Sequence, residues 1–83
     1  MARKIVYKSS IKHDLKNLDR NRAGELIQKI KEKLESDPNS GEPLHGEFNG
    51  LYRLRIGEYR VIYTKINDTI LVLRIRYRSK VYE

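Results

Sequence analysis

The second half of the chain restricts the fold more than any other feature. Leu51–Ile56 reads L-Y-R-L-R-I, Tyr59–Ile66 reads Y-R-V-I-Y-T-K-I, and residues 70–77 read I-L-V-L-R-I-R-Y. All three stretches are rich in branched and aromatic residues, which favour strands. Gly57-Glu58 suits a two-residue turn with glycine first, and Asn67-Asp68-Thr69 makes the next turn. Connections this short force antiparallel pairing, because a parallel crossover needs a dozen or more residues.

Upstream, residues 3–7 read as a strand with Ile5 and Tyr7 on one face. Ser9 or Ser10 can cap a short helix that carries Ile11, Leu15 and Leu18 at helical spacing. Asp19 or Asn21 caps a second helix, with Ala23, Leu26, Ile27, Ile30 and Leu34 on its apolar stripe, and Asp37-Pro38 stops it. Residues 39–46 read as a Gly-, Pro- and Ser-rich loop. The expected fold is α+β in the order β-α-α-β-β-β. Two N-terminal helices pack on one face of a small, mainly antiparallel four-stranded sheet and leave its other face open. At 83 residues, the chain is expected to form a single domain, residues 1–83, of limited stability.

Register then decides which side chains lie together. A two-residue turn at Gly57-Glu58 pairs Ile56 with Tyr59, Arg55 with Arg60 and Arg53 with Ile62. A two-residue turn at Asn67-Asp68 would place Arg74 and Arg76 against the helices, where an unpartnered cation is costly. A three-residue turn, Asn67 to Thr69, instead pairs Arg60 with Arg76 and Val61 with Ile75. It sends Leu71, Leu73 and Ile75 into the core. The second register is expected, because it collects Arg53, Arg55, Arg60, Arg74 and Arg76 on the open face and buries no cation. Ile62 and Val72 point to the same side and offer an apolar surface to a partner.

Composition agrees with a basic, functional face. Eighteen cations against eleven acids give a net charge of +7. Six of the nine arginines and five of the six tyrosines follow Pro43, whereas seven of the nine lysines precede it. Arginine binds phosphate as a planar fork and stacks on bases, so a polyanion partner is expected. Between Leu51 and Lys65 the open face offers no acid, since Glu58 lies in the turn. With no cysteine and two histidines, the chain holds no disulfide or thiolate site and too few imidazoles for zinc. No metal and no cofactor are expected. The N-terminus has no apolar run of signal-peptide length, and a cytoplasmic protein is expected.

Such a face suits RNA cleavage. The RNA supplies its own nucleophile, the 2′-OH, and arginines can orient the phosphate and neutralise its transition state without a metal. The proton acceptor is the weak point, because arginine stays protonated. Tyr82, with Arg76, Arg78 and Lys80 near it in sequence, is one candidate if those cations lower its pKa. His45 is a second, although a solvated loop histidine is the plainer reading. His13 is read as solvated.

Pro43-Leu44-His45-Gly46, Leu51-Tyr52-Arg53-Leu54-Arg55-Ile56-Gly57, Tyr59-Arg60-Val61-Ile62-Tyr63 and Tyr77-Arg78-Ser79-Lys80-Val81-Tyr82 together resemble the RelE/ParE superfamily of toxin–antitoxin toxins, the RelE branch in particular. The resemblance implies a metal-independent endoribonuclease that cuts messenger RNA on the ribosome and is inhibited by a cognate antitoxin, expected to be acidic and partly disordered. By position, it implies that Arg53 and Arg55 contact the RNA backbone, with a part in proton transfer. Arg60 then binds the scissile phosphate, Arg76 stabilises charge or protonates the leaving group, and Tyr82 is base or stacking partner. Arg78 matches a further basic position near the site, and Arg74, Arg78 and Lys80 are expected as RNA contacts. Tyr77 departs from the pattern, standing where many relatives carry histidine. The alternative is a ParE-like gyrase poison or a non-catalytic antitoxin-binding module.

Overall fold

The structure, a computed structural model, describes residues 4–77. The elements follow the order β1 (Lys4–Tyr7), α1 (Ile11–Asp14), α2 (Arg20–Ser36), β2 (Glu42–Pro43), a 3₁₀ turn (Gly46–Phe48), β3 (Leu51–Ile56), β4 (Tyr59–Ile66) and β5 (Thr69–Tyr77). They form a five-stranded sheet in the order β1-β5-β4-β3-β2, in which only β1 and β5 run parallel.

Helix α2 forms where the apolar spacing places it. Asp19 caps its start by accepting a hydrogen bond from the Arg22 amide at 2.8 Å. At its end Asp37 is extended, as a residue before proline prefers. Leu26, Ile30 and Leu34 share one face and are buried against Leu54, Val61, Tyr63, Ile70, Val72 and Ile75 of the sheet. Burial of each such side chain stabilises the fold by roughly 1.5–3 kcal/mol relative to exposure.

Several expectations are corrected. The sheet has five strands, because the loop after α2 contributes Glu42–Pro43 as a short edge strand. Proline is tolerated there because an outer edge leaves its missing N–H uncalled for. The first helix is a single turn, Ile11–Asp14, and Ser10 stands at its N-cap without a side-chain cap bond. Leu15 and Leu18 still reach the core, but through tight turns after the helix. A 3₁₀ turn adds a further helical element.

The β3–β4 register is the expected one, with Ile56 opposite Tyr59, Arg55 opposite Arg60 and Arg53 opposite Ile62. The β4–β5 connection differs. Ile66 pairs with Thr69 across a two-residue turn, with Asn67 at φ +55. Asparagine tolerates that left-handed conformation better than most residues. Left uncorrected, this turn would drive Arg74 and Arg76 into the helices. A bulge at Leu73 prevents it: Tyr63 pairs with Val72, then Ile62 pairs with Arg74. The extra residue reverses side-chain parity for the rest of the strand. Arg60 therefore still faces Arg76 and Val61 still faces Ile75. The strand's contribution to the core becomes Ile70, Val72 and Ile75 in place of Leu71, Leu73 and Ile75. Val72 is fully buried and leaves the open face, while Ile62 stays on it, half-buried.

Candidate active site

The site begins with strand pairing. Arg55, Arg60 and Arg76 lie directly opposite one another on β3, β4 and β5, forming one row across the sheet. Adjacent strands are about 4.8 Å apart, so the row spans roughly 10 Å. Glu42, Arg53, Ile62 and Arg74 form the neighbouring row across β2 to β5. Like charges opposite one another cost up to about 1 kcal/mol per pair. Two such pairs in a small domain mark the face as something other than an ordinary solvated surface.

Arg60 occupies the middle of its row and is 8% exposed. This corrects the expectation that the chosen register leaves no buried cation. The guanidinium lies on the side away from the helices and is nonetheless buried. Desolvation strengthens any interaction it makes with an anion.

The face also carries an acid that the sequence reading missed. Glu42 sits opposite Arg53 and accepts a hydrogen bond from its Nη2 at 2.5 Å. The Arg53 hydrogen bond, followed by the charges of Arg53, Arg55 and Arg60, holds the Glu42 carboxyl below the ordinary glutamate value. Glu42 is thus an ionised, exposed carboxylate surrounded by three of the arginines. It lies nine residues before β3, in a Gly-, Pro- and Ser-rich stretch whose composition predicts loop. Tyr63 draws that stretch in. Its hydroxyl donates to the Pro38 carbonyl at 3.0 Å and accepts from the Gly41 amide at 3.1 Å. A Cβ on residue 41 would overlap the Tyr63 hydroxyl and ring, so only glycine allows this approach. The sequence signal was Gly41 followed by Glu42-Pro43, an edge-strand proline beside a position without side chain.

A carboxyl-detected NMR titration should find Glu42 titrating below ordinary glutamate. Arg53→Gln should raise its pKa by removing the first-named cause. The sign follows from the depressed value: any stabilisation is present above the unfolded-state pKa and is lost as pH falls through the folded one. Because Glu42 is exposed, that contribution is small. An unchanged titration in the variant would show that the ion pair does not persist in solution.

The other sequence candidates are placed differently. Arg74 has the expected parity, but Asp14 engages it. Its Nε and Nη2 donate to the Asp14 carboxylate at 3.3 and 3.4 Å. The Asp14 side chain is 6% exposed and also accepts the Ile75 amide at 2.8 Å. It thereby caps the edge of β5 just past the point where β1 stops pairing, and steadies the strand next to Arg76. Arg74 is thus a partner of the helical layer more than a free phosphate contact. His13 and His45 are both exposed. Arg78, Lys80 and Tyr82 lie outside the described residues. Among the described residues, no group of three or more His, Asp or Glu side chains is arranged to hold a metal. No helix among them is long and apolar enough to cross a membrane.

The family described as the ParE toxin of type II toxin-antitoxin system, parDE, matches residues 5–82. The chain belongs to this family, and with it to the RelE/ParE superfamily of type II toxin–antitoxin toxins. Among solved structures, the RelBE2 toxin–antitoxin complex of Mycobacterium tuberculosis contains a similar chain, at 23% identity and TM-score 0.84, with 94% of this chain and 100% of that one covered. The archaeal RelE–RelB complex of Pyrococcus horikoshii is similar at 22% identity and TM-score 0.70, covering 96% and 99%. A YoeB/ParE toxin of Agrobacterium tumefaciens is similar at 25% identity and TM-score 0.68, covering 89% and 96%. No curated protein matches the chain in sequence.

Proposed function

We propose that this toxin is a ribosome-dependent endoribonuclease that cuts messenger RNA without a metal. The observation that carries the reading is the row Arg55–Arg60–Arg76 with the Glu42 carboxylate beside it. In the proposed reaction the 2′-OH of one nucleotide attacks the adjacent phosphorus, and Glu42 accepts its proton. The bond to the 5′-oxygen of the next nucleotide breaks, leaving a 2′,3′-cyclic phosphate and a 5′-hydroxyl. Arg60 neutralises charge on the pentacovalent phosphorus, where a desolvated, preorganised cation acts most strongly. Arg53 and Arg55 hold the flanking backbone and orient the attack. Arg76 stabilises the leaving oxygen, which takes its proton from Tyr82 as the bond breaks, and the Tyr82 ring stacks on the neighbouring base. Arg78 and Lys80 extend the phosphate contacts.

The setting is the cytoplasm, where messages are translated. The inhibitory partner is a cognate antitoxin, acidic and partly disordered, steered by the net charge of +7. The structural neighbours solved with RelB-type antitoxins support such a partner.

A second reading is a gyrase poison of the ParE kind, favoured by the name of the family that matches the chain. Mapping 5′ ends of messages after induction separates the two. New ends inside codons, absent with Arg76→Ala, are expected. DNA damage with intact messages would replace the nuclease reading by the gyrase one.

A further inference from the structure

The strongest unassigned feature is a crevice where α2 passes the free edge of β3. Strand β2 pairs only with Tyr52 and Arg53, so among the described residues β3 has no outer neighbour from Leu54 onward. Ile56 and Tyr59 close a two-residue hairpin and bond to each other, which turns the Arg55 amide outward. Two adjoining clefts run along this edge. The first is lined by Lys33, Ser40, Glu42, Arg53, Leu54 and Arg55. The second continues between Lys29, Lys33, Ser36 and Arg55, with Glu32 as its acid. Lys33 and Arg55 line both, so the crevice is continuous with the arginine row.

Three observations say that an anion belongs there. Lys29 and Lys33 stand one helical turn apart on one face, about 6 Å along the axis, an arrangement of like charges that weakens a helix. Among the described residues, neither lysine makes an ion pair, and Arg55 makes no direct one, its charge reaching only Glu42, which Arg53 already engages. The Ser40 hydroxyl is enclosed at the first cleft and has no hydrogen-bond partner among the described residues. The lining sets Lys29, Lys33, Arg53 and Arg55 against the carboxylates of Glu32 and Glu42, a cationic excess of two, and adds the Ser40 hydroxyl and an outward amide, with Leu54 and Ile56 as its apolar part. An amphipathic peptide helix would need a run of apolar anchors. A sugar–phosphate backbone needs what is present.

We propose that this crevice is a second phosphate-binding site. The RNA strand that sets its scissile phosphate against Arg60 turns over the β3 edge at Arg55. Its adjoining backbone then lies between Lys33 and Lys29 of α2, with Ser40 donating to a phosphate oxygen. The site rests on the nuclease reading but is tested separately from it.

The test uses the Lys29→Ala/Lys33→Ala variant. Both positions are exposed, and circular dichroism checks the fold. Single-turnover cleavage on programmed ribosomes should show a half-saturating concentration raised about tenfold with an unchanged maximal rate. The slope of log affinity against log salt should fall by about 1.4, at about 0.7 per single-strand phosphate contact. In parallel, labelled wild-type protein is titrated with an uncleavable 2′-O-methyl hexaribonucleotide. The amides of Lys33, Ser40 and Arg55 should shift, and Lys33→Glu should suppress those shifts. Wild-type half-saturation and salt slope in the double variant would overturn the site. So would a loss of antitoxin affinity with RNA binding intact, which would assign the crevice to a protein partner. If the wild type cuts no message while the hexamer still shifts these amides, the crevice stands and the nuclease reading falls.

Discussion

Arg60→Ala is expected to lower single-turnover cleavage by about 10²–10³-fold and to relieve translation arrest, the range for removing one preorganised oxyanion donor. No other residue of the row is so well placed. Arg55 and Arg76 flank Arg60 directly across both neighbouring strands, and Arg60 alone among the three is buried. A desolvated guanidinium costs no reorganisation when charge develops beside it. Truncation also removes two like-charge cross-strand pairs, each destabilising by up to about 1 kcal/mol. Much of the stability lost with its buried stem should thereby be offset, so the variant should remain folded. Arg60→Lys keeps the charge but not the bidentate fork and should recover only part of the rate. Primer extension on a translated message, beside a thermal melt, reads both quantities. A folded Arg60→Ala protein that still cuts at the wild-type rate would remove Arg60 from the site.

Gly41→Ala should be the most damaging small substitution, at about 2–4 kcal/mol, from overpacking together with weakened hydrogen bonds. The added Cβ meets the hydroxyl and ring of Tyr63, a residue with no exposed surface and no room to yield. The loop must therefore move out, loosening the Gly41 and Pro38 bonds to the Tyr63 hydroxyl. Because Glu42 follows directly, its carboxylate should leave the arginines, and cleavage should drop even where the protein stays folded. Tyr63→Phe is the informative control. It removes the hydroxyl, leaves two backbone groups without their partner and should cost about 1–3 kcal/mol. Combined with Tyr63→Phe, Gly41→Ala should cost less than it does alone, since part of the overlap is gone. Urea denaturation of the four proteins measures the coupling; strict additivity would show that the overlap is not the cause.

Burial, and after it the charges of Tyr52 and Asp37, push the Tyr63 phenol up, against the opposing pull of the Gly41 amide. Its contribution is full below the unfolded-state value of about 10 and is lost as pH rises toward the folded one. Alkaline destabilisation should therefore be weaker in Tyr63→Phe than in the wild type.

Much of the candidate site was legible because strand parity is a local property. Gly57 fixes a two-residue turn, and from it the pairing of Arg53, Arg55 and Arg60 follows by counting. The pairing of Arg60 with Arg76 was also reached, though through the wrong turn. The requirement that Arg74 and Arg76 avoid the helical layer was correct, but the chain meets it with a bulge at Leu73. A bulge has no composition of its own, and both turns are sterically open to Asn67-Asp68-Thr69. The choice between them depends on which of Leu71, Val72 and Leu73 fits beneath α2.

The burial of Arg60, the engagement of Arg74 by Asp14 and the arrival of Glu42 beside Arg53 belong to a different kind of information. Each joins residues from separate elements: Asp14 lies 60 positions from Arg74, and Glu42 lies 11 from Arg53. The chain by itself determined the meander, the amphipathic α2 and the placing of Arg53, Arg55 and Arg60 on one side, because backbone periodicity dictates those, whereas Arg74 and Arg76 join them through the bulge. Only tertiary packing decided which arginine lost its water, which was held by an acid and where a carboxylate stood among them. Desolvation and close approach depend on what the rest of the molecule brings alongside.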